Sequence, residues 1–336
     1  MNVIIPMAGI GKRMRPHSLS VPKPLMKIAG KSIVQRLIEE LVKSIDVKIN
    51  NIGFVIGDFG KDVEKDLISI AKNINSAGRI YYQKEALGTA HAVYCANELL
   101  KDEVIVAFAD TLFKADFSIN KESEAIIWIY EVKDPHNYGV VKGNEQNIVT
   151  DFIEKPKEKI SNKAIVGIYY FRNGELLKNE IKSIIRDKVL IGGEYQITTV
   201  LENMKNKGLE FNINAVDEWL DCGNKDSFLS TSSRMLDFLS KDELLGKNVV
   251  IRNSKIIDPC YLGENVRISN SIIGPHVSID QNTEIAKCII SDSIIYNNSV
   301  VKGIVTSKSI IGSNVEYIRN DEELNIGDFC NYKPVK

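Results

Sequence analysis

The chain has 336 residues, of which 44% are hydrophobic and 26% charged, as in a globular protein long enough for two domains. Its formal net charge of -1 argues against a bulk nucleic-acid or polybasic membrane surface, and no apolar run approaches the roughly 20 residues of a membrane span. The five cysteines are widely spaced without a C-x-x-C pair, which argues against zinc and predicts free thiols in a reducing, cytoplasmic compartment.

Up to about Ser240, segments with the apolar pattern of strands alternate with segments of helical period. The predicted strands are 3–5, 52–56, 79–83, 104–109, 125–132, 138–141, 149–154, 164–171 and 210–216. The predicted helices are 33–42, 61–72, 89–100, 175–186 and 195–205. The continuous apolar strand 104–109 is of the kind buried on both faces in a mostly parallel sheet. This alternation predicts a three-layer α/β domain.

After about Leu245 the helical period ends and pairs of isoleucines recur. Two stretches, SIIGPHVSI at 271–279 and SIIGSNVEYI at 309–318, nearly repeat each other. Apolar residues at about every sixth position, with Gly, Asn and Ser between them, predict the stacked coils of a parallel β-helix. A flat sandwich is the alternative, but two-residue alternation and hairpin turns are scarce. We therefore predict one domain at 1–242 and a β-helix domain at 243–336.

The segment "PMAGIGKRMRPHSLSVPKPL", residues 6–25, follows the first predicted strand. It lacks the third glycine of a dinucleotide fingerprint and the spacing of a Walker A loop. It does offer a flexible turn at Gly9 and Gly11, whose N–H groups can approach a ligand. Three cations stand near this turn: Lys12, Arg13 and Lys23. Backbone donors with Arg and Lys suit a polyphosphate, although a solvated basic loop has the same appearance.

This segment resembles the signature of the sugar-1-phosphate nucleotidyltransferases, and its A-G-x-G spacing is similar to that of the UTP–glucose-1-phosphate uridylyltransferases. Lys12 departs from the threonine usual in much of the family. Further matching segments occur in the family's order across almost the whole first domain. They are Gln83, LGTAHAV at 87–93, Ala109-Asp110, YGVV at 138–141, EKP at 154–156, VGIY at 166–169, GEYQIT at 193–198 and WLDCG at 219–223.

The resemblance implies a Rossmann-like catalytic domain followed by a left-handed β-helix of hexapeptide repeats. It also implies an enzyme of nucleotide-sugar biosynthesis, in which a sugar-1-phosphate oxygen attacks the α-phosphorus of a nucleoside triphosphate and releases pyrophosphate. A phosphate monoester is mostly dianionic at neutral pH, so no general base is needed. Bringing two anions together instead requires positioning, metal and cations. Arg13 would hold the β- and γ-phosphates, and Lys23 the α-phosphate or the sugar phosphate, unless Lys23 only extends toward solvent.

On the nucleotide side, the resemblance implies binding by Ala8, Gly9, Gly11, Lys12, Gln83, Gly88 and Thr89. The Gln83 amide offers a donor and an acceptor to the edge of uracil or thymine, and Gly88 permits close backbone approach. UTP and dTTP both fit, because their bases differ by one methyl group away from the hydrogen-bonding edge. His91 is interpreted as structural.

On the sugar side, the implied residues are Gly139, Glu154, Lys155, Gly167 and Glu194, with glucose 1-phosphate as the expected substrate. Lys155 would neutralise the sugar phosphate, and Glu154 would accept hydrogen bonds from ring hydroxyls. Each has a plainer interpretation: EKP is a common turn, the glycines could be bulges, and Glu194 could be a first-turn helix residue.

Asp110 and Asp221 each end an apolar strand-like segment. Ligands of open α/β sheets collect beyond the carboxyl ends of strands, and two carboxylates there would repel each other without a cation. We therefore predict a Mg²⁺ site formed by these two side chains. The alternative is that Asp110 caps a turn and Asp221 forms an Asx-turn with Gly223.

Three other functions remain open at this stage: mannose-1-phosphate guanylylation, an acyltransferase activity of the β-helix and a catalytically inactive regulatory subunit. His276 lies among the repeats, where some β-helix acyltransferases carry a catalytic histidine, but a lone histidine in a turn is weak support. An inactive subunit would have no need of the charged residues implied for catalysis, and this chain retains all of them: Arg13, Lys23, Asp110, Lys155 and Asp221. The expected partners are the two substrates and further copies of the chain, without nucleic acid or membrane.

Overall fold

The computed structural model describes residues 1–319 except 10, 46 and 116–118. Contacts divide the chain into two compact units. The first comprises Met1–Lys27 and Lys31–Thr231, and the second comprises Ile28–Gly30 and the chain from Ser232 onward. The domain boundary after residue 242 stays a prediction. Cys330 lies outside the described residues, and the other four cysteines are free thiols. Among the described residues, no helix combines the length and apolar character needed to cross a membrane.

The first unit is built on a nine-stranded mixed sheet. The strands of this unit are β1 (Asn2–Pro6), β2 (Lys27–Ile28), β3 (Lys31–Ser32), β4 (Asn51–Ile56), β5 (Ala77–Tyr82), β6 (Val104–Ala107), β7 (Thr111–Lys114), β8 (Ala125–Glu131), β9 (Gly139–Gly143), β10 (Val149–Glu154), β11 (Lys163–Phe171), β12 (Phe211–Ala215) and β13 (Glu218–Asp221). The sheet runs β10-β9-β11-β6-β1-β4-β5, and β8 joins β11 to β12. Strands β6, β1, β4 and β5 are parallel, whereas β11 is antiparallel to β6.

Helices follow the strands in the predicted alternation, which confirms the Rossmann-like α/β fold. They are α1 (Ile33–Ser44), α2 (Lys61–Asn73), α3 (Thr89–Cys95), α4 (Gly174–Arg186), α5 (Ile197–Asn206), α6 (Lys225–Phe238) and α7 (Lys241–Leu244). Ser32 caps α1 by accepting a hydrogen bond from the Gln35 N–H at 3.2 Å. The apolar face of α1 is buried as predicted, except that Val42 is exposed. Inward-facing residues of α3, α4 and α5 share one core with the sheet.

Three helical segments differ from the prediction, and one of them is the short α7, which was not predicted. Helix α3 ends at Cys95 rather than at Leu100, and the side-chain amide of Asn97 donates to the Tyr94 carbonyl at 3.0 Å just beyond its end. Asparagine competes in this way with the helical backbone, which favours a turn. Helix α6 was not predicted, because serine and threonine interrupt its apolar spacing at 230–233.

The second unit contains three parallel sheets of stacked short strands, and it confirms the β-helix rather than the sandwich. Its strands are β14 (Val250–Arg252), β15 (Lys255–Ile256), β16 (Cys260–Leu262), β17 (Arg267–Ser269), β18 (Ile272–Ile273), β19 (Val277–Ile279), β20 (Glu284–Ala286), β21 (Ile289–Ser291), β22 (Ile294–Ile295), β23 (Val300–Lys302), β24 (Val305–Ser307), β25 (Ile310–Ile311) and β26 (Glu316–Ile318). The sheets run β14-β17-β20-β23-β26, β15-β18-β21-β24 and β16-β19-β22-β25. This is the architecture of a left-handed β-helix.

Within the coils, the isoleucine pairs divide their roles. Ile273 and Ile290 are buried in the core, whereas their neighbours Ile272 and Ile289 are 40% and 50% exposed. Alternation along a strand directs successive side chains to opposite faces, so only one member of these pairs enters the core. In the pair Ile294-Ile295, in contrast, both side chains are buried.

Candidate active site

The opening loop lies at the carboxyl end of β1, beside a cavity of about 360 Å³. Eleven of the residues proposed from the sequence line this cavity: Ala8, Gly9, Gly11, Lys12, Arg13, Lys23, Gln83, Gly88, Thr89, Asp110 and Glu194. The neighbouring strand β6 ends at Ala107 and delivers Asp110 to the same edge of the sheet. The sheet edge thus gathers the glycine turn, the cations and one of the two predicted metal ligands.

Gly11 shapes the opening loop. It has a left-handed φ of 64° and precedes a short turn at Lys12–Met14, whose Met14 side chain is buried. A Cβ on Gly11 would lie 2.9 Å from the Lys23 Cβ. A Cβ on Gly9, in contrast, would meet no atom within 4 Å. Gly11 is therefore required by the protein itself, whereas Gly9 leaves space open toward the cavity.

Lys23 points inward and not toward solvent. Its Nζ lies 3.4 Å from Asp110 Oδ2, and its side chain is 11% exposed, compared with 56% for Asp110. A buried ammonium group needs a partner to offset its lost hydration. The pair places a cation and an accessible carboxylate together on the cavity wall.

Asp221 reaches Asp110 through a two-stranded pairing outside the main sheet. Strand β13 pairs antiparallel with β7, with Asp221 opposite Thr111, and the Cys222 N–H donates to the Asp110 carbonyl at 3.1 Å. Asp221 Oδ1 accepts a hydrogen bond from the Gly223 N–H at 2.9 Å. The Asx-turn considered from the sequence is thus present, and it coexists with the approach of the two aspartates.

The Cys222 thiol is buried beside these groups. Burial raises its pKa far above the ordinary value, and the charge of Lys23 offsets this only in part. A thiol held in its protonated form is a poor nucleophile or metal ligand. Among the described residues, no group of three or more His, Cys, Asp or Glu side chains is arranged to hold a metal ion. A cation here would be held by the two aspartates together with substrate oxygens and water.

One part of the cavity wall is formed by Gln83 and the start of α3. Gln83 Nε2 donates to the Gly88 carbonyl at 3.0 Å. Gly88 has a φ of 109°, and a Cβ there would lie 2.6 Å from the Tyr195 carbonyl oxygen. The backbone that approaches Gly88 closely is therefore that of Tyr195 in the same chain. Thr89 Oγ1 accepts from the Ile197 N–H at 2.9 Å and thereby ties α3 to α5.

Four of the proposed sugar residues lie on the antiparallel part of the sheet and its turns. Glu154 pairs with Gly139 across β10 and β9, and its Oε2 accepts from Thr198 Oγ1 at 3.0 Å. Lys155 has a φ of 44°, and its Nζ lies 3.8 Å from Glu154 Oε1. Gly167 has a φ of 95°, and its carbonyl accepts from the Phe108 N–H. These four residues do not line the cavity, whereas Glu194 does.

Residues of the proposed sugar set and the two aspartates nevertheless act on the same or adjoining tyrosines. Tyr169 is fully buried; burial raises its pKa, and the charges of Glu154 and Asp110 raise it further. The Tyr138 ring packs edge-on against Trp219 at 4.8 Å between centroids, and both Asp221 and Arg13 act on the Tyr138 hydroxyl. Tyr138 and Trp219 belong to the motifs YGVV and WLDCG.

Two histidines contact this region without having been proposed for it. His136 Nδ1 lies 2.8 Å from the Pro156 carbonyl and so supports the turn that carries Lys155. His91 Nδ1 lies 3.2 Å from Gln83 Nε2. The one sequence feature that could have pointed to His91 as a site residue is its position inside the LGTAHAV segment. In the second unit, both ring nitrogens of His276 face carboxylates: Nε2 is 3.0 Å from Asp237 Oδ1, and Nδ1 is 3.6 Å from Asp292 Oδ1.

A glycine turn after β1 gathers cations and carboxylates at the carboxyl ends of the strands, in a domain of the α/β class. The family model described as nucleotidyl transferase matches residues 2–237, and the chain belongs to that family.

The chain is 31% identical over 265 residues to the bifunctional protein GlmU of Methanocaldococcus jannaschii, a match that covers 77% of this chain and 60% of GlmU. It is 29% identical over 278 residues to the catalytic subunit beta of mannose-1-phosphate guanylyltransferase of Drosophila melanogaster, covering 79% and 71% of the two chains. The solved structure of a UDP-glucose pyrophosphorylase complexed with UDP-glucose is similar in fold, with a TM-score of 0.56, 22% identity and coverage of 71% of this chain and 99% of that one.

Proposed function

We propose that the protein transfers a nucleotidyl group from UTP or dTTP to a sugar 1-phosphate, with glucose 1-phosphate as the preferred acceptor, and releases pyrophosphate. The observation that carries the proposal is the cavity lined by the glycine turn, Arg13, Lys23, Asp110 and Gln83. Membership of the nucleotidyl transferase family supports the reaction class, and the pyrimidine rests on Gln83 and Gly88.

The chemistry requires positioning more than acid–base catalysis. A sugar-phosphate oxygen forms the new bond to the α-phosphorus, and the bond between the α-phosphorus and the bridging oxygen breaks as pyrophosphate departs. In our proposal Arg13 binds the β- and γ-phosphates and stabilises the charge that develops on the leaving group. Lys23, held by Asp110 at 3.4 Å, binds the α-phosphate or the incoming phosphate. Preorganised cations of this kind need no reorganisation during the reaction.

On the sugar side, we assign Glu154 to the ring hydroxyls and Lys155 to the phosphate. Glu154 Oε2 is oriented by Thr198, so its remaining acceptor capacity has a defined direction. The Lys155 side chain is 64% exposed, which leaves its ammonium group available to an anion. Glu194, on the cavity wall, accepts from Gln196 Nε2 at 3.0 Å and is assigned to a further hydroxyl. Gly139, at the start of β9, and Gly167, within β11, are assigned to the close approach of strand backbone to the sugar.

The aspartates fit Mg²⁺ by their chemistry. Both are hard oxygen donors on paired segments, and Asp221 has one oxygen, Oδ1, already oriented by the Gly223 N–H. Bound between Asp110 and Asp221, Mg²⁺ would neutralise the approaching phosphates. Lys23 shares this task, because it offsets the charge of Asp110 when the protein is free of substrate.

The test is pyrophosphate release by the full chain with UTP, dTTP, GTP, ATP and CTP, each combined with glucose 1-phosphate, mannose 1-phosphate and N-acetylglucosamine 1-phosphate. We expect the highest kcat/KM with UTP or dTTP and glucose 1-phosphate. Highest turnover with GTP and mannose 1-phosphate would establish the second candidate, which the similarity to the Drosophila guanylyltransferase favours. Absence of turnover with every pair would contradict the reaction class.

An acyltransferase activity of the β-helix is a weaker candidate. Both nitrogens of His276 face Asp237 and Asp292, so neither is left unpartnered to take a proton from a substrate hydroxyl. An assay of thiol release from acetyl-CoA, with the sugar 1-phosphate or the nucleotide-sugar product as acceptor, tests this point, and we expect no thiol release above background.

We further propose that the chain forms homo-oligomers through its β-helix. Ile272, Ile289 and Val305 stack in register on the outer face of one sheet, and they are 40%, 50% and 77% exposed. An exposed aliphatic column of this kind favours burial against a second copy. We expect light scattering to show an oligomer for the wild type and a smaller species for Ile289→Lys. Ser307→Lys, on the same sheet but outside the column, is the control.

A further inference from the structure

The orientation of the Gln83 amide follows from its partners. The Gly88 carbonyl can only accept a hydrogen bond, so the amide atom 3.0 Å from it must be the nitrogen Nε2. The same carbonyl also accepts from the Ala92 N–H at 3.1 Å, in the first turn of α3. One hydrogen of the Gln83 amide is therefore directed at the helix.

The second amide hydrogen is directed at His91. Gln83 Nε2 lies 3.2 Å from His91 Nδ1, and since Nε2 is a donor, Nδ1 must be the acceptor. This requires a neutral ring with its proton on the other nitrogen. Burial lowers the pKa of His91 below 6.5, and the charge of Glu85, which raises it, does not offset burial. Among the described residues, Glu85 is the charged group whose electrostatic effect reaches the His91 ring.

With both hydrogens engaged, Gln83 presents its carbonyl oxygen Oε1 to a ligand. Gln83 lies on the cavity wall, and no hydrogen bond to Oε1 is formed by the described residues. An acceptor at this position matches the N3–H of uracil or thymine. It does not match the N3 of cytosine, which is itself an acceptor.

We infer that His91 is a positioning residue that fixes Gln83 with its acceptor toward the base and thereby makes the site select uracil and thymine over cytosine. The inference rests on the proposed function, because it takes Gln83 as the base-binding residue. It assigns to His91 a role in substrate selection, whereas His91 itself does not touch the nucleotide.

Protonation of His91 would reverse this arrangement. The ring would then carry a hydrogen on Nδ1 directed at the donor Nε2, and the amide would have to turn to bring Oε1 to the histidine. Nε2 would face the base instead, and the Gly88 carbonyl would keep only the Ala92 N–H as a donor. Since burial lowers the pKa of His91 below its ordinary value, the neutral ring predominates at neutral pH and protonation requires acid conditions. Discrimination between UTP and CTP should therefore fall in acid.

Two variants separate positioning from packing. His91→Asn retains an acceptor, Oδ1, in place of Nδ1 and does not titrate, whereas His91→Phe keeps a ring without a nitrogen. Steady-state kcat and KM are measured with UTP and CTP at saturating sugar phosphate, at neutral pH and below pH 6.5. Comparing the two nucleotides within each enzyme cancels the titration of the sugar phosphate and of the triphosphate.

We expect His91→Phe to lower the ratio of kcat/KM for UTP to that for CTP by roughly tenfold, mainly through KM for UTP, as for the loss of one oriented hydrogen bond. His91→Asn should restore the ratio and remove its fall in acid. A His91→Phe enzyme that turns over UTP with an unchanged ratio, or a wild-type ratio independent of pH, would overturn this inference alone. A wild type inactive with every pyrimidine triphosphate would overturn the proposed function as well.

Discussion

At the scale of single residues, burial decides what the charged side chains near the cavity can do. Lys23 is enclosed and paired with Asp110, so its ammonium group has a fixed place, whereas a surface lysine samples many rotamers. Asp221 has one carboxylate oxygen in an Asx-turn with Gly223 and therefore has both a structural and a proposed metal-binding role. These two roles can be separated by substitution.

Asp110→Asn and Asp221→Asn should each lower kcat by orders of magnitude. The melting temperature should change little in Asp221→Asn and fall modestly in Asp110→Asn, because the buried Lys23 loses its charged partner. In Asp221→Asn, the side-chain amide oxygen could still accept from the Gly223 N–H, so the turn survives and only the charge is lost. The measurement is pyrophosphate release with a Mg²⁺ titration, together with thermal denaturation. Wild type should require added Mg²⁺, which should not restore full activity to either variant.

Asp62→Asn is the matched control, because Asp62 is 97% exposed on α2 and outside the cavity lining. It should behave as wild type. Near-normal turnover in both active-site variants, or full wild-type activity in excess chelator, would contradict the metal site.

At the scale of elements, the corners of the β-helix are stabilised by a ladder of asparagines. Asn248, Asn265, Asn282, Asn298 and Asn314 each have a φ of 57° to 60°. The side-chain amide of each of the first four donates to the next asparagine along the stack at 2.9 to 3.2 Å. The spacing of the rungs is 17 residues in the first two steps and 16 in the last two. Asparagine tolerates the left-handed conformation that each corner requires, and its amide both donates and accepts.

Asn282→Ala should destabilise the second unit by about 2 kcal/mol, because it removes two ladder hydrogen bonds and places a Cβ-bearing residue without compensation at positive φ. Asn282→Gly, which relieves the backbone strain, should cost about half as much. Denaturant unfolding followed by circular dichroism measures both. An equal loss in the two variants would show that the backbone conformation contributes nothing.

At the scale of the whole molecule, the predicted division after residue 242 implies that the first 242 residues carry the chemistry. Every proposed site residue lies before that point. Residues 28–30, however, group with the second unit, and a shortened chain would leave them without those neighbours. The surface that this exposes would lower the solubility of the shortened chain, whereas the proposed site residues would stay in place.

A chain that ends at residue 242 should therefore bind both substrates and aggregate more readily than the full protein. Isothermal titration with UTP and glucose 1-phosphate, and light scattering over time, measure the two properties. The full chain is the control. A folded, soluble 1–242 fragment that binds neither substrate would show that the assignment of the chemistry to this part of the chain is wrong.

The sequence by itself determined the order of the α/β elements, the change to a β-helix and the set of charged residues around the opening loop. These rest on local patterns: apolar periodicity, glycine and asparagine at corners, and motifs a few residues long. Helix α6 could not be predicted, because packing overrides its weak apolar spacing.

Only the tertiary structure decided which of these residues meet. The pairing of β7 with β13 joins Asp110 to Asp221 across more than a hundred residues, and no local pattern encodes such a register. The tertiary structure also brings the Tyr195 backbone against Gly88, where a side chain would not fit, and it brings His91 within hydrogen-bonding distance of Gln83. Such roles depend on atoms brought together by distant segments, and hydrogen bonds act only over about 3 Å.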